Sequence, residues 1–430
     1  MKIFNQKRLN VLIVLHAITL ILWLLAKPNM LFLKNTPFLA LAQIAGLWAA
    51  TIVSLNFVLA ARLKTISQFL GGLDKAYLFH TQTGKIAFFY MLIHPTLILV
   101  DALPNTSLLS LYIKPFVDIS YDMGKISLFL FTTLLILTLI IKLPYHIWRR
   151  THQLMVIPML FLLFHIFLIV SDVSAYMPLR IWMIGMVSVG IILYVYKMFI
   201  YPFYGPKHMY IVKKITDLGI ANEIILKPIS NKINFEPGQF VFVQFISKKV
   251  NQEEHPFSVS SSPHENYIRL TIKKSGDFTN KLGLLKVGEK AKIYGPYGLF
   301  GQKVFTSKKP LVFIAGGIGI TPFLSILSYL SQNKINKKVR LFYTYSGKSQ
   351  AIYKKELNAL KNNQITIITH NSRIKGRITA KKILKTTSDK NVLIFLCGPI
   401  GMMKSLSHQF KNLGINEKNI LFEDFNLKKQ

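Results

Sequence analysis

The chain has 430 residues, 51% of them hydrophobic, a length that predicts two to three domains. Its 53 lysines and arginines outnumber 18 aspartates and glutamates, leaving a net charge of +35. A single cysteine, Cys397, excludes an intrachain disulfide and a cysteine-ligated iron–sulfur cluster.

Apolar residues concentrate in the first half, where six stretches are long enough to cross a bilayer: about 9–26, 38–61, 83–101, 126–143, 153–171 and 180–201. The first lacks a small-residue cleavage site and precedes five similar segments, so it reads as a retained helix. Lys2, Lys7 and Arg8, then Arg62, Lys64, Lys75 and Lys85, then Lys142, Arg149 and Arg150 fall on one side. Basic loops mark the cytoplasmic side, so a multi-pass protein of the cell (inner) membrane with both termini in the cytoplasm is expected. Six spans argue against a nucleic-acid partner. The charge suits anionic lipid headgroups and an anionic cofactor, or reflects a lysine-rich composition with many solvated side chains.

Four histidines form two matched pairs, His80 with His94 and His152 with His165, 14 and 13 residues apart. Each pair spans about 20 Å of helix. The third and fifth spans run in the same direction, which brings His80 near His152 and His94 near His165. Two stacked bis-imidazole sites suit two haems, because two axial imidazoles saturate the iron and favour electron transfer. The alternative is polar glue between helices. Fourteen residues return to within about 40° of one face, but 13 miss by about 140°. The fifth helix must then be distorted, with Pro158 able to break it, or present its two ligands to opposite sides; Pro95 offers the same break in the third. His16 reads as a packed or hydrogen-bonded residue, and His146 as a loop residue too distant to compete. Phe88, Phe89 and Tyr90 line the gap between ligands or simply pack.

Beyond residue 206 the texture changes to short alternating runs, such as 239–245 and 268–273, which predict an antiparallel barrel to about residue 300. From Lys309 the pattern is strand, glycine loop, helix, with further strands at 339–345, 365–369 and 392–397. This predicts an α/β nucleotide-binding domain. The loop holds Gly316, Gly317, Gly319, Thr321 and Pro322, whose glycines let backbone approach a pyrophosphate at a helix N-terminus. Three other stretches strengthen this reading. His255, Pro256, Phe257 and Ser258 combine a hydroxyl with an aromatic on a barrel strand. Gly276, Asp277, Phe278 and Thr279 open a helix. Cys397, Gly398 and Pro399 end a strand, where α/β sheets place ligands.

With these motifs the chain resembles the NADPH oxidase and ferric reductase superfamily of transmembrane flavocytochromes over essentially its whole length. The resemblance implies a multidomain membrane protein: a six-helix bundle (1–203), an FAD-binding β-barrel (204–305) and an NAD(P)H-binding α/β domain (306–430). It implies FAD, two haem b and NADPH or NADH as cofactors, with His80 and His152 on an inner haem and His94 and His165 on an outer one. Phe257 would pack along the isoalloxazine and Ser258 would hydrogen-bond near its N5. Gly276, Asp277, Phe278 and Thr279, with Lys273, would hold the FAD pyrophosphate, and residues 316–322 that of NAD(P)H. Cys397, Gly398 and Pro399 would lie beside the nicotinamide, and Phe425 would cover the flavin until nicotinamide displaces it. Ser258, Cys397 and Phe425 are thus the implied catalytic residues. Lys348, Arg373 or Arg377 would meet a 2′-phosphate, so NADPH is only favoured over NADH.

The implied activity carries electrons from cytoplasmic NAD(P)H through FAD and both haems to an acceptor across the membrane. Oxygen, a ferric chelate and a quinone all fit as acceptor. Two other readings stay open: a membrane-anchored NAD(P)H:flavin reductase without haem, and a histidine-lined proton or cation conductor.

Overall fold

The computed structural model describes residues 6–27, 29, 31–103, 105–141, 143–204, 207–347, 351–387 and 390–422. The chain folds as two compact units, residues 1–205 and 206–429.

Six helices of the first unit are long and apolar enough to cross a membrane: Gln6–Leu25, Pro37–Ala60, Leu73–Ala102, Ile119–Leu139, His146–Leu168 and Met177–Phe203. They match the six apolar stretches, with the third starting early enough to carry His80. The second span is the most buried and packs against the first, third and sixth; the fifth packs against the fourth and sixth. Hydroxyls within the spans bond their own helices, as Thr51 does to the Leu47 carbonyl at 2.9 Å and Ser54 to Ala50 at 2.8 Å.

The fifth span is broken into Tyr145–Gln153 and Val156–Leu168. Pro158 has no N–H for the Leu154 carbonyl, and its ring crowds that oxygen. The amides of Leu154 and Met155 turn back tightly to Thr151 and His152 at 3.1 and 3.2 Å, and Ile157 takes the Leu154 carbonyl at 2.9 Å. This break shifts the rotational phase between His152 and His165. Pro95 behaves differently from expectation: Leu73–Ala102 continues through it as one helix. A single missing hydrogen bond is tolerated in a span supported by neighbours. His146 lies on the exposed side of a helix, not in a loop.

The second unit begins with β1 (Lys207–Asp217), β2 (Ala221–Pro228), β3 (Phe240–Ile246), β4 (His255–Ser258), β5 (Ile268–Lys273) and β6 (Lys290–Tyr297). They pair antiparallel in the order β4-β3-β6-β1-β2-β5, and a bridge from Val259 to Leu270 brings the two outer strands together as a near-barrel. The remaining strands are β7 (Leu311–Gly316), β8 (Val339–Tyr345), β9 (Ile365–Asn371), β10 (Leu393–Cys397) and β11 (Ile420–Phe422). They form a parallel sheet in the order β11-β10-β7-β8-β9. The chain leaves β7 toward one edge and later returns through β10 on the other side. The carboxyl ends of β7 and β10 therefore mark the switch point where open α/β sheets bind ligands.

Between barrel and sheet, helix Phe300–Thr306 approaches the turn before β3 so closely that a Cβ on Gly301 would sit 1.9 Å from the Pro237 carbonyl oxygen. Gly301→Ala should cost about 1–3 kcal/mol and lower the unfolding midpoint of this unit by roughly 3–10 °C. Calorimetry of the purified protein checks this; an unchanged midpoint contradicts the close approach.

Candidate functional site

A cleft of about 960 Å³ opens in the second unit at this switch point. Its barrel wall holds His255, Pro256, Phe257, Ser258, Lys273, Gly276, Asp277, Phe278 and Thr279. Its sheet wall holds Gly316, Gly317, Gly319, Thr321, Cys397, Gly398 and Pro399. The fold thus brings four separate motifs into one cavity. Pro322 sits in the first turn of helix Thr321–Gln332 beside the lining Thr321, where a missing N–H costs nothing. Phe425 and Lys348 lie outside the described residues.

The barrel wall is aromatic. The His255 ring stacks on Phe278 with centroids 4.0 Å apart and faces Phe257 at 6.3 Å. Its Nε2–H donates to Glu253 at 2.9 Å, which fixes the ring. Gly276 adopts φ +126° with no atom near the Cβ position, and helix Asp277–Lys281 starts there. Thr279 Oγ1 accepts from the Ser275 amide at 2.9 Å and holds the turn. The sheet wall is tight. A Cβ on Gly319 would lie 2.2 Å from the Cys397 carbonyl oxygen, and one on Gly398 would lie 2.9 Å from Gly316 Cα. These glycines let two loops interlock at the ends of adjacent strands. An aromatic wall facing interlocked glycine loops, with Lys273 and Arg377 as cations, fits a flavin beside an anionic dinucleotide.

The membrane unit presents a second constellation. The rings of His80 and His152 lie 6.0 Å apart between centroids. Two imidazoles on one metal, each with a metal–nitrogen bond of about 2.0–2.1 Å, would place their centroids roughly 6 Å apart. His94 and His165 lie within electrostatic reach of each other. His80 Nδ1 faces the Asn56 carbonyl at 3.0 Å, His94 Nδ1 that of Ala42 at 2.7 Å and His165 Nδ1 that of Ser120 at 2.7 Å. A carbonyl only accepts, so each Nδ1 carries the hydrogen and each Nε2 keeps a bare lone pair. His152 Nδ1 lies 3.3 Å from Thr138 Oγ1, whose own hydrogen goes to the Leu134 carbonyl at 2.8 Å. The same tautomer follows. Four imidazoles with free Nε2 atoms would suit ligation of haem iron.

Glycine makes two of these contacts possible. Gly46 and Gly124 stand four residues after Ala42 and Ser120, where a helical Cβ leans over the accepting carbonyl. A Cβ there would come within 2.6 Å of His94 Nδ1 and 2.8 Å of His165 Nδ1. His16 is hydrogen-bonded, to the Leu12 carbonyl at 2.8 Å and the Tyr90 hydroxyl at 3.2 Å, with Trp48 5.0 Å away. Tyr90 therefore packs in that cluster, while Phe89 is exposed on the outside of the bundle. Among the described residues no group of three or more His, Cys, Asp or Glu side chains could hold a metal ion.

Three known families match along the chain: the ferric reductase like transmembrane component at residues 45–164, the oxidoreductase FAD-binding domain at 221–301 and the oxidoreductase NAD-binding domain at 313–408. The chain joins a ferric reductase-like transmembrane component to the FAD- and NAD-binding domains of an oxidoreductase. The ferric reductase-like match covers three of the four histidines and stops one residue before His165, and the other two cover most of the cleft. Among curated relatives, Flavohemoprotein A of Dictyostelium discoideum is 29% identical over 217 residues, 46% of this chain and 54% of that protein. A flavohemoprotein of Bacillus cereus is 26% identical over 51% of this chain and 60% of its own length. The chain thus spans little more than half of these relatives. Sulfhydrogenase 1 subunit gamma of Pyrococcus furiosus is 30% identical over 45% of this chain and 68% of that subunit. A solved flavohemoglobin from Malassezia yamatoensis aligns with a TM-score of 0.53 at 19% identity, over 91% of this chain and 99% of that one, a likeness of fold.

Sequence reasoning missed part of this cleft. Met402, Ser405 and Gln409 line it from helix Ile400–Asn412, and Ser372 and Thr379 join from separate segments. The spacing from Met402 to Gln409 is one helix face, a signal that follows directly after Pro399. Arg377 also lines the cleft, and Arg373 lies 3.8 Å from the Cβ position of Gly347.

Gly319→Ala should drive the interlocked loops apart. Nicotinamide nucleotide should bind about tenfold more weakly while FAD content stays unchanged. Flavin absorbance and nucleotide titration check both; unaltered nucleotide affinity contradicts the loop assignment.

Proposed function

We propose that this chain is a transmembrane flavocytochrome that moves electrons from NAD(P)H, by way of FAD and two b-type haems, to an acceptor across the membrane. Oxygen, giving superoxide, or a ferric chelate is the acceptor class. The observation that carries this reading is the shared tautomer of His80, His94, His152 and His165, which leaves four bare Nε2 atoms in apolar spans. Flavin, when bound, would turn a two-electron hydride donor into a source of single electrons, and haem iron held by His80, His94, His152 and His165 would accept them one at a time.

The protein's part is placement. His80 with His152 would hold the inner haem and His94 with His165 the outer one, each ring locked by its Nδ1–H. Phe257 and Ser258 would face the flavin ring. Gly276, Asp277, Phe278, Thr279 and Lys273 would hold its pyrophosphate. Gly316, Gly317, Gly319, Thr321 and Pro322 would receive the nucleotide pyrophosphate, with Cys397, Gly398 and Pro399 at the nicotinamide and Phe425 over the flavin. The haem, FAD and nucleotide segments are assigned to residues 1–203, 204–305 and 306–430, with both termini cytoplasmic.

Detergent-purified protein expressed with ample haem should show a Soret band. Anaerobic NADPH should reduce flavin and then haem, and oxygen or ferric citrate should reoxidise both. A colourless membrane unit would sink the proposal. His80→Leu and His152→Leu should each remove about half of the haem. Full haem content in both would reject the ligand assignment. Gly46→Val and Gly124→Val should broaden or deplete the other haem's spectrum.

Arg377→Ala should weaken NADPH about tenfold or more and leave NADH nearly unchanged, since a charge-assisted hydrogen bond contributes roughly 1.5–3 kcal/mol. Equal losses for both nucleotides would remove Arg377 from the 2′-phosphate site.

A further inference from the structure

A largely buried polar network joins the two walls of the cleft behind its lining, with Glu356 at its half-exposed edge. Arg269 of β5 forms a fork on Glu356, with NH1 to Oε2 at 3.0 Å and NH2 to Oε1 at 2.7 Å. Its NH2 also donates to the Ser260 carbonyl at 3.1 Å. Tyr353 donates to Glu223 Oε2 at 2.6 Å and accepts from Thr271 Oγ1, also at 2.6 Å. The Arg269 guanidinium lies over the Tyr353 ring at 5.2 Å and 3.9 Å from Glu223. Glu223, Ser260, Arg269 and Thr271 belong to the barrel. Tyr353 and Glu356 belong to helix Lys354–Ala359 and its cap, which follow β8.

The placement of this network is not neutral. Thr271 lines the cleft, and Ser260 lies two residues beyond Ser258. On the other wall, Thr344, Tyr345 and Ser346 at the end of β8 line the cleft. The network therefore ties the two strands that bear the flavin-side residues to the segment that follows the nucleotide-side strand. Burial alone would lower the Arg269 pKa, but hydrogen bonds and charge from Glu356, then Tyr353 and Glu223, hold it above its usual value. Burial, followed by the bond to Glu223, raises the Tyr353 phenol. Both keep their protons throughout the physiological range. Arg269 Nε has no partner among the described residues, but both of its terminal nitrogens are committed, and a charge-assisted network this sequestered is stiffer than surface ion pairs.

We infer that Arg269, Glu356, Tyr353 and Glu223 form a latch that sets the registry between the flavin wall and the nucleotide wall, making them positioning residues for hydride transfer. The inference rests on the assignment of flavin and nicotinamide to this cleft. None of the four touches the reacting atoms. Their effect is on approach geometry, where a shift of about 1 Å costs up to roughly a hundredfold in rate.

The test uses the full FAD-loaded protein in detergent, anaerobic stopped flow on flavin absorbance, and hydrogen exchange. Tyr353→Phe and Glu356→Gln should each lower the limiting rate of flavin reduction about tenfold. The apparent nucleotide affinity should change less than about threefold and FAD occupancy should hold. Arg269→Lys keeps the charge without the fork and should not restore the rate. Amide exchange in residues 353–360 should accelerate. Tyr353→Phe combined with Glu356→Gln should lose little more than either alone, as members of one unit do. Limiting rates within twofold of the parent in FAD-loaded variants would overturn the latch. So would rate losses that merely track lost FAD. Tyr353→Phe removes one oxygen, so it remains the deciding variant if Arg269 changes prevent folding. Absence of any flavin reduction in the parent protein would instead refute the cleft assignment.

Discussion

An imidazole placed in hydrocarbon has one hydrogen to give and one lone pair to keep. That constraint organises the membrane unit. His80, His94 and His165 each spend the Nδ1 hydrogen on a main-chain carbonyl of a neighbouring span, and His152 on a threonine already committed to its own helix. Helical carbonyls retain a second lone pair, so the bond costs the accepting helix nothing. Access is the difficulty, because the side chain four residues on covers that lone pair. Gly46 and Gly124 clear it for two of the rings, and Ala60 occupies the corresponding place after Asn56. Spans two and three, and spans four and five, pack together where these approaches occur.

The second unit obeys a parallel rule, written in backbone rather than side chains. Adjacent parallel strands β7 and β10 end together, and their exit loops compete for the same space. Gly316, Gly319 and Gly398 let the loops interlock, and the cleft forms above them. Facing it, the stacked row of Phe257, His255 and Phe278 makes the barrel wall flat and apolar. The polar network behind these walls holds them together with charge-assisted bonds, while the cleft itself stays open to ligand.

Much of this was legible in the chain. Six apolar stretches announced six spans because a bilayer leaves few alternatives to long helices. The alternating runs announced the barrel, and the glycine loop after an apolar strand announced the parallel sheet. The mismatch between intervals of 14 and 13 residues called for a distorted fifth span, and Pro158 supplies it at Leu154. The same reasoning failed at Pro95, since a proline removes one hydrogen bond but packing decides whether the helix bends.

Periodicity, residue type and spacing thus pointed to the elements, the matched histidines and the four cleft motifs, because each is written in short stretches of the chain. Three things depended on the folded arrangement. The direction in which each imidazole spends its hydrogen depends on carbonyls 24 to 52 residues away in three of the four rings. The roles of Gly46 and Gly124 exist only once another span approaches. The union of Glu223, Arg269, Tyr353 and Glu356 spans 133 residues of chain and has no motif, since nothing in any one segment reveals which distant charge it will meet.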